Sequence, residues 1–258
     1  MALSLSGKTA LISGSSAGIG AAIAVELSGR GANIVLNYPW PSEEQACKEV
    51  GDKLSTPWIA VCADLSTIEG PEQLVVAAVA RFETIHILVN NAAIVPHAPS
   101  WATTAAMWDN TFALNARGVF LLTKAPSSPP ALSGVKGGSR IICIGSGTGR
   151  FPQPGLLVYS ATKGAMDSMI KVWAKELPPK YGCTVNGIAP GPVMTETFLQ
   201  GLGDQVDEVT EAFGKETPCE GSFAEPEDVA WAVAWLTEDR SKWVNGEYIM
   251  VNGGFIMS

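Results

Sequence analysis

Short apolar runs alternate along the chain with longer segments whose apolar positions recur at helical spacing. Runs bounded by glycine, proline and polar residues are typical of strands buried on both faces, and the longer segments are typical of amphipathic helices. Strand and helix in alternation predict an α/β fold with a parallel sheet and right-handed crossovers. The runs predicted as strands are Lys8–Ser13, Asn33–Tyr38, Ile59–Cys62, Ile85–Asn90, Arg140–Ile144, Thr184–Ala189 and Tyr248–Asn252.

Helices are predicted to end where proline or glycine follows the periodic positions. The Pro-, Ser- and Gly-rich stretch Ala125–Gly138 ends the long central helix by Pro126. In residues 195–223, glycine, acidic and scattered apolar residues predict one or two short helices over the strand ends, which would form a substrate lid. Outside this lid, the clearest helices are predicted at Ala21–Leu27, Thr104–Lys124, from Tyr159 to Pro178, and at Pro226–Leu236.

Composition and charge restrict the class of protein. Of the 258 residues 47% are hydrophobic and 16% are charged, and the mean hydropathy is +0.19, so we predict one globular domain spanning residues 1–258. The formal charge is -8 and the pI is about 4.8, and lysine and arginine form no cluster. This argues against a nucleic-acid partner, because phosphate neutralisation needs concentrated cations. Small molecules are the expected partners.

The cysteines and the least charged stretch favour a cytoplasmic protein without a membrane segment. The five cysteines are odd in number, widely spaced and without a C-x-x-C pair, which predicts reduced, packed thiols rather than disulfides or a metal site. Thr9–Val25 carries no charge, but its glycines and serines interrupt the apolar run and favour a strand followed by a helix start. It also lacks the basic start and cleavage pattern of a signal peptide.

A glycine-rich turn lies between the first predicted strand and the helix that follows it. Gly14, Gly18 and Gly20 are its glycines. They allow a tight turn and let a diphosphate approach the helix N-terminus, where free N–H groups and the helix dipole favour an anion. The alternative is a plain glycine-rich turn without a ligand.

Tyr159 and Lys163 form the candidate proton-transfer pair. They are four residues apart in a predicted helix, so both side chains lie on one face, with the ammonium close to the phenol. The cation would lower the phenol pKa from about 10 and let Tyr159 act as a general acid or base near neutral pH. Ser146, at the end of the preceding strand, is placed to hydrogen-bond the same reacting oxygen. The alternative is a surface tyrosine and lysine on an ordinary helix.

Further polar residues follow the predicted strands, at the sheet edge where ligands bind in α/β folds. Ser13, Asp64 and the pair Asn90-Asn91 fall there. Asn115 lies within the long predicted helix, where asparagine is slightly unfavourable. It therefore either faces solvent or is recruited to bond another group.

In this order the motifs resemble those of the short-chain dehydrogenase/reductase family, and the resemblance covers essentially the whole chain. It implies a single-domain, Rossmann-like doubly wound fold, with a seven-stranded parallel sheet flanked by helices on both faces. It also implies a homotetramer formed through the central helices and the C-terminal strand. The motifs are Ser13-Gly14-Ser15-Ser16-Ala17-Gly18-Ile19-Gly20, Asp64-Leu65, Asn90-Asn91-Ala92-Ala93, Asn115, Ser146, Tyr159-x-x-x-Lys163 and Pro190-Gly191-Pro192-Val193-Met194-Thr195.

The resemblance also implies roles for these residues. Tyr159 would be the acid or base, Lys163 would lower its pKa and hold the nicotinamide ribose, and Ser146 would orient the substrate oxygen. Asn115 would complete a water-linked proton relay through Lys163, and Asp64 would contact the adenine. Hydride transfer of this kind needs no metal. The implied cofactor-binding residues are Gly14, Ser15, Ser16, Gly18, Ile19, Gly20, Asn37, Tyr38, Asp64, Leu65, Asn90, Asn91, Ala92, Ala93, Tyr159, Lys163, Pro190, Gly191, Val193 and Thr195.

Two positions depart from the family pattern. Ser13 stands where threonine is usual, a change that keeps a hydroxyl. Ala93 replaces the usual glycine, which tightens the space beside the cofactor. Neither change is expected to prevent catalysis.

The cofactor is predicted to be NADP(H), with NAD(H) as the alternative. NAD-preferring members of the family end the second strand with an acidic residue that bonds the ribose 2′-OH. Here Asn37-Tyr38 occupies that place, although Ala17 and Pro39 stand where NADP-using members often carry Arg or Lys. Hydroxyl and amide donors are expected to hold the 2′-phosphate, namely Ser15, Ser16, Asn37 and Ser42.

The resemblance implies NADPH-dependent reduction of a ketone to a secondary alcohol, on a mid-sized apolar substrate such as a cyclic compound or specialised metabolite. An NAD-dependent secondary alcohol dehydrogenase is the alternative, and a cofactor-binding scaffold, sensor or non-redox catalyst is an alternative of another class. His97 is either a substrate-facing donor or incidental. The residues expected to line a largely apolar pocket are Ile94, Val95, Pro96, His97, Gly147, Phe151, Met194 and Phe198.

Overall fold

The computed structural model describes residues 4–125, 138–196, 198–199, 206–219 and 223–257, with the side chains at 207 and 209 excepted. Its sheet contains seven parallel strands in the order β3-β2-β1-β4-β5-β6-β7, which confirms the predicted sheet. The strands are β1 Thr9–Ile12, β2 Asn33–Tyr38, β3 Trp58–Cys62, β4 Ile87–Asn90, β5 Arg140–Ile144, β6 Thr184–Pro190 and β7 Tyr248–Val251.

Helices cover both faces of the sheet, which explains why the central strands are continuous apolar runs. On one face α1 and α9 contribute buried side chains such as Ile23 and Val233. On the other face α3, α5 and α6 contribute Leu74, Leu122 and Ile170. The helices are α1 Gly18–Gly29, α2 Glu44–Gly51, α3 Gly70–Phe82, α4 Ala105–Phe112, α5 Val119–Lys124, α6 Leu157–Glu176, α7 Pro178–Tyr181, α8 Val206–Glu216 and α9 Pro226–Thr237.

The strand order reverses between β1 and β4, because β2 and β3 lie on one side of β1 and the later strands on the other. Such a switch point opens a crevice at the carboxyl ends of the strands, where ligands bind in doubly wound sheets. Ser13 and Gly14 follow β1 there, and Asn91 follows β4. The Asn91 amide donates to the carbonyl oxygens of Ser13 (2.9 Å) and Gly14 (2.8 Å), so the two strand ends meet at this crevice.

The segment Thr104–Lys124, predicted as one regular helix, is interrupted. Thr104 caps α4, and its hydroxyl accepts a hydrogen bond from a backbone N–H of the first turn (3.1 Å). Between α4 and α5 lies a π-helical turn, Ala113–Gly118, which contains Asn115. A π-turn widens the backbone locally and is frequent at functional sites. Helical spacing in the sequence does not distinguish this turn from a regular helix.

The other helix predictions are confirmed with small shifts at the ends. α6 ends at Glu176, and Pro178 opens the short α7, because proline is tolerated at the first position of a helix. Within the predicted lid, α8 supplies one of the expected short helices. Residues 197, 200–205 and 220–222 of that segment lie outside the described residues, as does the helix end predicted by Pro126.

The least charged stretch has its predicted structure, and the cysteines have theirs in part. Thr9–Val25 forms β1, the glycine turn and the start of α1. No helix in the described ranges is long and apolar enough to cross a bilayer. All five cysteines are free, but Cys62 and Cys219 are exposed, so the prediction of packed thiols is wrong for these two because their side chains lie at the surface. Burial raises the pKa of the Cys143 thiol to about 12 and that of Cys183 to about 11, so both are packed and unreactive.

Candidate active site

The glycine turn between β1 and α1 presents backbone N–H groups at the crevice. Gly14 and Gly18 have φ angles of +60° and +55°, a region that residues with side chains rarely adopt. A Cβ on Gly20 would lie 2.2 Å from the Gly14 carbonyl oxygen, so the turn is too tight for a side chain. The N-terminus of α1 has neither a side-chain cap nor an acidic residue in its first turn. This helix end fits the diphosphate of a dinucleotide, because its N–H groups and dipole favour an anion.

Ser13 ties the glycine turn to the loop after β4. Its hydroxyl accepts hydrogen bonds from the backbone N–H groups of Asn91 (2.9 Å) and Ala92 (3.0 Å) and lies 3.3 Å from the Val89 carbonyl oxygen, to which it donates. A Cβ on Gly14 would approach the Ala92 Cα within 2.9 Å, so the two loops are in direct contact. The serine therefore supplies the hydroxyl that holds this crevice together.

The structure contradicts the predicted role of Asn37 and Ser15 as phosphate donors. Both side chains are buried. The Asn37 amide accepts from the Gly14 N–H (3.0 Å) and donates to the Ala63 carbonyl oxygen (3.0 Å). The Ser15 hydroxyl donates to the Ile12 carbonyl oxygen (3.0 Å) and accepts from the Asn37 N–H (2.8 Å). Both predictions were wrong because these side chains turn inward and hold the glycine turn against β2.

Replacing Asn37 with alanine should therefore weaken the fold and the binding of both dinucleotides. The change leaves the Gly14 N–H and the Ala63 carbonyl oxygen without these partners, which should lower the free energy of unfolding by about 1–3 kcal/mol. Affinities for NADPH and NADH, measured by fluorescence titration, should fall together. The matched control is Ser42→Ala at an exposed position, which should affect only NADPH. A loss confined to NADPH in Asn37→Ala would contradict the structural role.

Glu43 was missed by the sequence reasoning. It lies in the short 3-10 turn Pro41–Glu43 after β2, and its Oε2 accepts a hydrogen bond from the Ser16 hydroxyl (2.7 Å). Its carboxylate thus lies beside a predicted phosphate donor. No local sequence signal marks this contact, because only the folded turn brings Glu43 to the glycine turn.

α6 carries Tyr159 and Lys163 on the face that meets the end of β5. Lys163 is buried, and its ammonium donates to the Ile144 carbonyl oxygen (2.7 Å). The same ammonium lies 5.4 Å from the centroid of the Tyr159 ring. Tyr159 is hydrogen-bonded to Ser146. The structure thus brings together the three residues predicted for proton transfer.

The electrostatics of the pair differ from the prediction. Burial raises the pKa of Tyr159 to about 12, and the hydrogen bond with Ser146 only opposes this rise. Burial lowers the pKa of Lys163 to about 8, with a partial opposing effect of Cys143. The predicted lowering of the Tyr159 pKa by Lys163 is therefore wrong for this structure, because removal from water dominates the shift and the opposing effect comes from Ser146. At neutral pH the phenol is protonated and is able to donate a proton.

The lowered pKa of Lys163 predicts a pH-dependent contribution to stability. The unfolded chain keeps this proton up to about pH 10.5, whereas the folded protein releases it above about pH 8. Between these values the unfolded state binds more protons, so the contribution of Lys163 to the free energy of unfolding rises with pH. Urea denaturation of the wild type and of Lys163→Met should be compared from neutral pH to about pH 10. The free energy of unfolding of the wild type should rise with pH relative to that of the variant. A pH-independent difference would contradict the lowered pKa.

Asn115 is buried and its side chain is fully engaged. Its Oδ1 accepts from the Ile94 N–H (2.9 Å), and its Nδ2 donates to the Ile94 carbonyl oxygen (2.8 Å) and the Thr162 hydroxyl (3.3 Å). Of the two alternatives for a mid-helix asparagine, the structure selects recruitment over solvent exposure. The amide ties the loop after β4 to α6. The water-linked relay through Lys163 stays a prediction.

The remaining residues predicted for the cofactor lie at strand ends or in the first turn of α1. Asp64 accepts hydrogen bonds from the N–H (2.9 Å) and hydroxyl (2.7 Å) of the serine two residues later. Asn90 is buried, and its amide donates to the Thr123 hydroxyl (3.0 Å). Thr195 packs beside Gly18, 3.4 Å from the position of a Cβ there. Their contacts with a cofactor stay predictions, as do those of Ile19, Tyr38, Leu65, Ala93, Pro190, Gly191 and Val193.

The C-terminal tail packs against Gly147, a predicted pocket residue, and the sequence reasoning missed this contact. A Cβ on Gly147 would lie 3.1 Å from Cδ1 of Ile256. Phe213 of α8 packs against Phe255 of the tail, with ring centroids 5.2 Å apart, and against Phe198, at 6.4 Å. Aromatic contacts therefore join the predicted lid segment to the tail. Phe198, predicted as a pocket residue, is part of this aromatic cluster.

The other predicted pocket residues differ in exposure. Phe151 and Met194 are half-buried, and His97 and Val95 are exposed. The His97 imidazole packs against Gly155 in the connection before α6. Their contact with a substrate stays a prediction.

Known proteins resemble the chain over nearly its full length. Residues 14–256 match the family model described as enoyl-(acyl carrier protein) reductase. The chain is 38% identical over 267 residues to an NADPH-dependent aldehyde reductase-like protein, chloroplastic, from Arabidopsis thaliana, with 98% of this chain and 96% of the relative covered.

Solved structures give the same result. A dehydrogenase/reductase from Sinorhizobium meliloti superposes with a TM-score of 0.87 at 36% identity, covering 99% of this chain and 98% of that one. A short-chain dehydrogenase from Burkholderia cenocepacia in complex with NADP superposes with a TM-score of 0.86 at 30% identity, covering 98% and 99%.

Proposed function

The chain belongs to the short-chain dehydrogenase/reductase family, and from this premise we propose that it is an NADPH-dependent carbonyl reductase. The proposed reaction reduces a ketone of a mid-sized apolar molecule to a secondary alcohol. The observation that carries the proposal is the assembly of Ser146, Tyr159 and Lys163 at the carboxyl edge of the sheet, with the Lys163 ammonium 5.4 Å from the centroid of the Tyr159 ring. A phenol whose pKa is about 12 is protonated at neutral pH, and a protonated acid suits reduction, in which the substrate oxygen gains a proton.

Each residue of the candidate site has a separate role in the proposed reaction. The dinucleotide, when bound, supplies the hydride. Ser146 hydrogen-bonds the carbonyl oxygen and orients it, and Tyr159 donates a proton to that oxygen as negative charge develops there. Lys163 holds the nicotinamide ribose, and its ammonium stabilises the phenolate that remains after proton transfer. Asn115 completes the path by which Tyr159 regains its proton.

NADP(H) is the proposed cofactor. The relative from Arabidopsis thaliana is named NADPH-dependent, and the structure from Burkholderia cenocepacia holds NADP. The last residues of β2 also carry no carboxylate that would repel a 2′-phosphate. The Glu43 carboxylate would repel a 2′-phosphate, but it accepts a hydrogen bond from the Ser16 hydroxyl. Initial rates with NADPH, NADH, NADP⁺ and NAD⁺ test the choice: NADPH should be preferred, and equal affinity with and without the 2′-phosphate would overturn it.

The substrate class follows from the walls of the site. Ile256 packs beside Gly147 and is linked to the aromatic cluster through the tail, so we expect a mid-sized apolar carbonyl compound to bind by burial of its ring or chain. Tetralone, cyclohexanone and benzaldehyde serve as probes, followed by NADPH oxidation at 340 nm. A ketone reductase should turn over tetralone faster than benzaldehyde. The reverse order would favour an aldehyde as the substrate.

Two alternatives give different outcomes in the same assays. An NAD-dependent secondary alcohol dehydrogenase would prefer NAD⁺ with the corresponding alcohols. A cofactor-binding scaffold, sensor or non-redox catalyst would bind NADPH and oxidise none with any of the carbonyl probes. The intact set of Asn115, Ser146, Tyr159 and Lys163 favours the reductase over the non-redox alternative.

A homotetramer and a cytoplasmic location are part of the proposal. Phe120 on α5 and Val172 on α6 are exposed, and Trp243, shortly before β7, is 94% exposed. Large apolar side chains on the central helices and near the last strand are suited to subunit contacts. Sedimentation equilibrium of the full chain should give four times the monomer mass of 27.0 kDa, and a monomer would overturn the proposed assembly.

A further inference from the structure

Tyr248 contacts the peptide group of the candidate substrate-orienting serine from a strand two places away in the sheet. It is the first residue of β7 and is buried. Its hydroxyl accepts a hydrogen bond from the Ser146 N–H (2.8 Å) and donates one to the Ser146 carbonyl oxygen (2.9 Å). One side chain, 102 residues away in the sequence, thus binds both polar groups of the Ser146 backbone.

The backbone conformation of Ser146 makes this double contact possible. Its φ and ψ angles are -166° and 148°, which is a nearly fully extended conformation. In an extended residue the N–H and the C=O of the same residue point to the same side. The Tyr248 hydroxyl fills the place that a neighbouring strand would otherwise take, just beyond the end of β5. Both hydrogen bonds persist only while Ser146 stays extended, so they restrict the direction of its Cβ.

Two glycines make room for the tyrosine ring. Gly187 on β6 is the ladder partner of Tyr248, and a Cβ there would lie 2.6 Å from the tyrosine ring. A Cβ on Gly145 would lie 2.2 Å from the Tyr248 hydroxyl oxygen. The ring therefore crosses over β6 and reaches the end of β5 only because both positions lack a side chain.

The ring of Tyr248 is in turn linked to α6. The Arg150 guanidinium lies 4.8 Å from the Tyr248 ring centroid, a cation–π contact. Arg150 also forms two hydrogen bonds with the Asp167 carboxylate (2.9 and 3.2 Å). Asp167 lies two turns along α6 from Tyr159. The helix that carries Tyr159 therefore also supports the side chain that holds Ser146.

We propose that Tyr248 is a positioning residue that holds the Ser146 hydroxyl within hydrogen-bonding distance of Tyr159 and of the substrate oxygen. The inference rests on the proposed reductase function and adds a residue to it. Tyr248 is not itself a catalytic residue, because its hydroxyl hydrogen-bonds the Ser146 backbone rather than the reacting atoms. Its role is to keep Ser146 from leaving the extended conformation when substrate binds.

Tyr248→Phe tests the inference, because it keeps the ring and removes only the hydroxyl. With tetralone and NADPH, kcat should fall about tenfold, since a small displacement of an orienting group costs this much or more. The KM for NADPH should change less than twofold, because the glycine turn is not contacted. The matched control is Ser241→Ala, which also removes a buried hydroxyl bound to backbone, in this case one that donates to the carbonyl oxygens of Leu236 and Glu238 rather than to Ser146. It should leave kcat unchanged.

A double-mutant cycle separates positioning from a general structural effect. If Tyr248 acts through Ser146, then Tyr248→Phe should reduce the single-turnover rate about tenfold with Ser146 present and not at all in a Ser146→Ala background. Equal reductions in both backgrounds, or an unchanged kcat in Tyr248→Phe alone, would overturn the inference. Should Tyr248→Phe fail to fold, Arg150→Gln replaces it in the cycle, with an expected reduction of about threefold that again requires Ser146.

The outcomes also distinguish this inference from the proposed function. A wild-type enzyme that oxidises no NADPH with tetralone, cyclohexanone or benzaldehyde would overturn the reductase proposal and the role of Tyr248 with it. An active wild type whose Tyr248→Phe variant keeps full activity would overturn the role of Tyr248 alone.

Discussion

Replacing Tyr159 with phenylalanine should abolish carbonyl reduction and leave dinucleotide binding intact. The variant keeps the ring beside Lys163 and loses the hydroxyl that is hydrogen-bonded to Ser146. Loss of a positioned general acid costs about 10²- to 10⁴-fold in rate. Stopped-flow or steady-state oxidation of NADPH with tetralone measures the rate, and fluorescence titration with NADPH measures binding.

Tyr181→Phe is the matched control for this variant. Tyr181 lies in α7 and stacks with Lys180, whose ammonium is 5.1 Å from the ring centroid. It is a tyrosine beside a lysine outside the crevice, so removing its hydroxyl should leave the rate unchanged. Retained activity in Tyr159→Phe would remove Tyr159 from the mechanism. A loss of NADPH binding in the same variant would show that its hydroxyl acts mainly in binding.

Replacing Gly20 with alanine should reduce the affinity for NADPH about 100-fold. The new Cβ would lie 2.2 Å from the Gly14 carbonyl oxygen and 2.6 Å from the Asn91 amide. The Gly14 oxygen belongs to the backbone and cannot rotate away, so the turn that faces the diphosphate must shift. Overpacking of this kind costs about 1–3 kcal/mol, and each 1.4 kcal/mol lowers affinity about tenfold. Isothermal titration with NADPH measures the effect.

Gly29→Ala is the control for this prediction. Gly29 is the last residue of the same helix, and a Cβ there would meet nothing within 4 Å. Alanine should be tolerated at this position, with a stability change of at most about 1 kcal/mol in its favour. NADPH affinity should match the wild type. A similar loss of affinity in both variants would show that the effect is not due to the glycine turn.

The seven strands and their parallel order were predictable, because continuous apolar runs that alternate with helix-length segments have few compact solutions. The glycine turn and the pair Tyr159 and Lys163 were predictable for a similar reason. Spacings of a few residues determine local geometry once the element type is known. The resemblance to the short-chain dehydrogenase/reductase family, stated from these motifs, is confirmed by the comparisons.

The direction in which polar side chains point was not predictable. Asn37 and Ser15 were predicted to donate hydrogen bonds to a 2′-phosphate. Instead, both side chains turn into the protein and bind backbone groups in and beside the glycine turn. The predicted direction of the Tyr159 pKa shift was wrong for a related reason. Four residues of spacing place Lys163 near the ring, but only packing determines how much water both groups lose.

The sequence by itself determined the fold class, the glycine turn and the proximity of Tyr159 and Lys163, because each depends on periodicity or on spacing within one element. Only the tertiary structure decided that Glu43 meets Ser16, that Ile256 lies against Gly147 and that Tyr248 holds Ser146. These contacts join segments that are far apart in the chain or separated by turns. They depend on which side chains the fold brings together at the carboxyl edge of the sheet, and that information is absent from any local pattern.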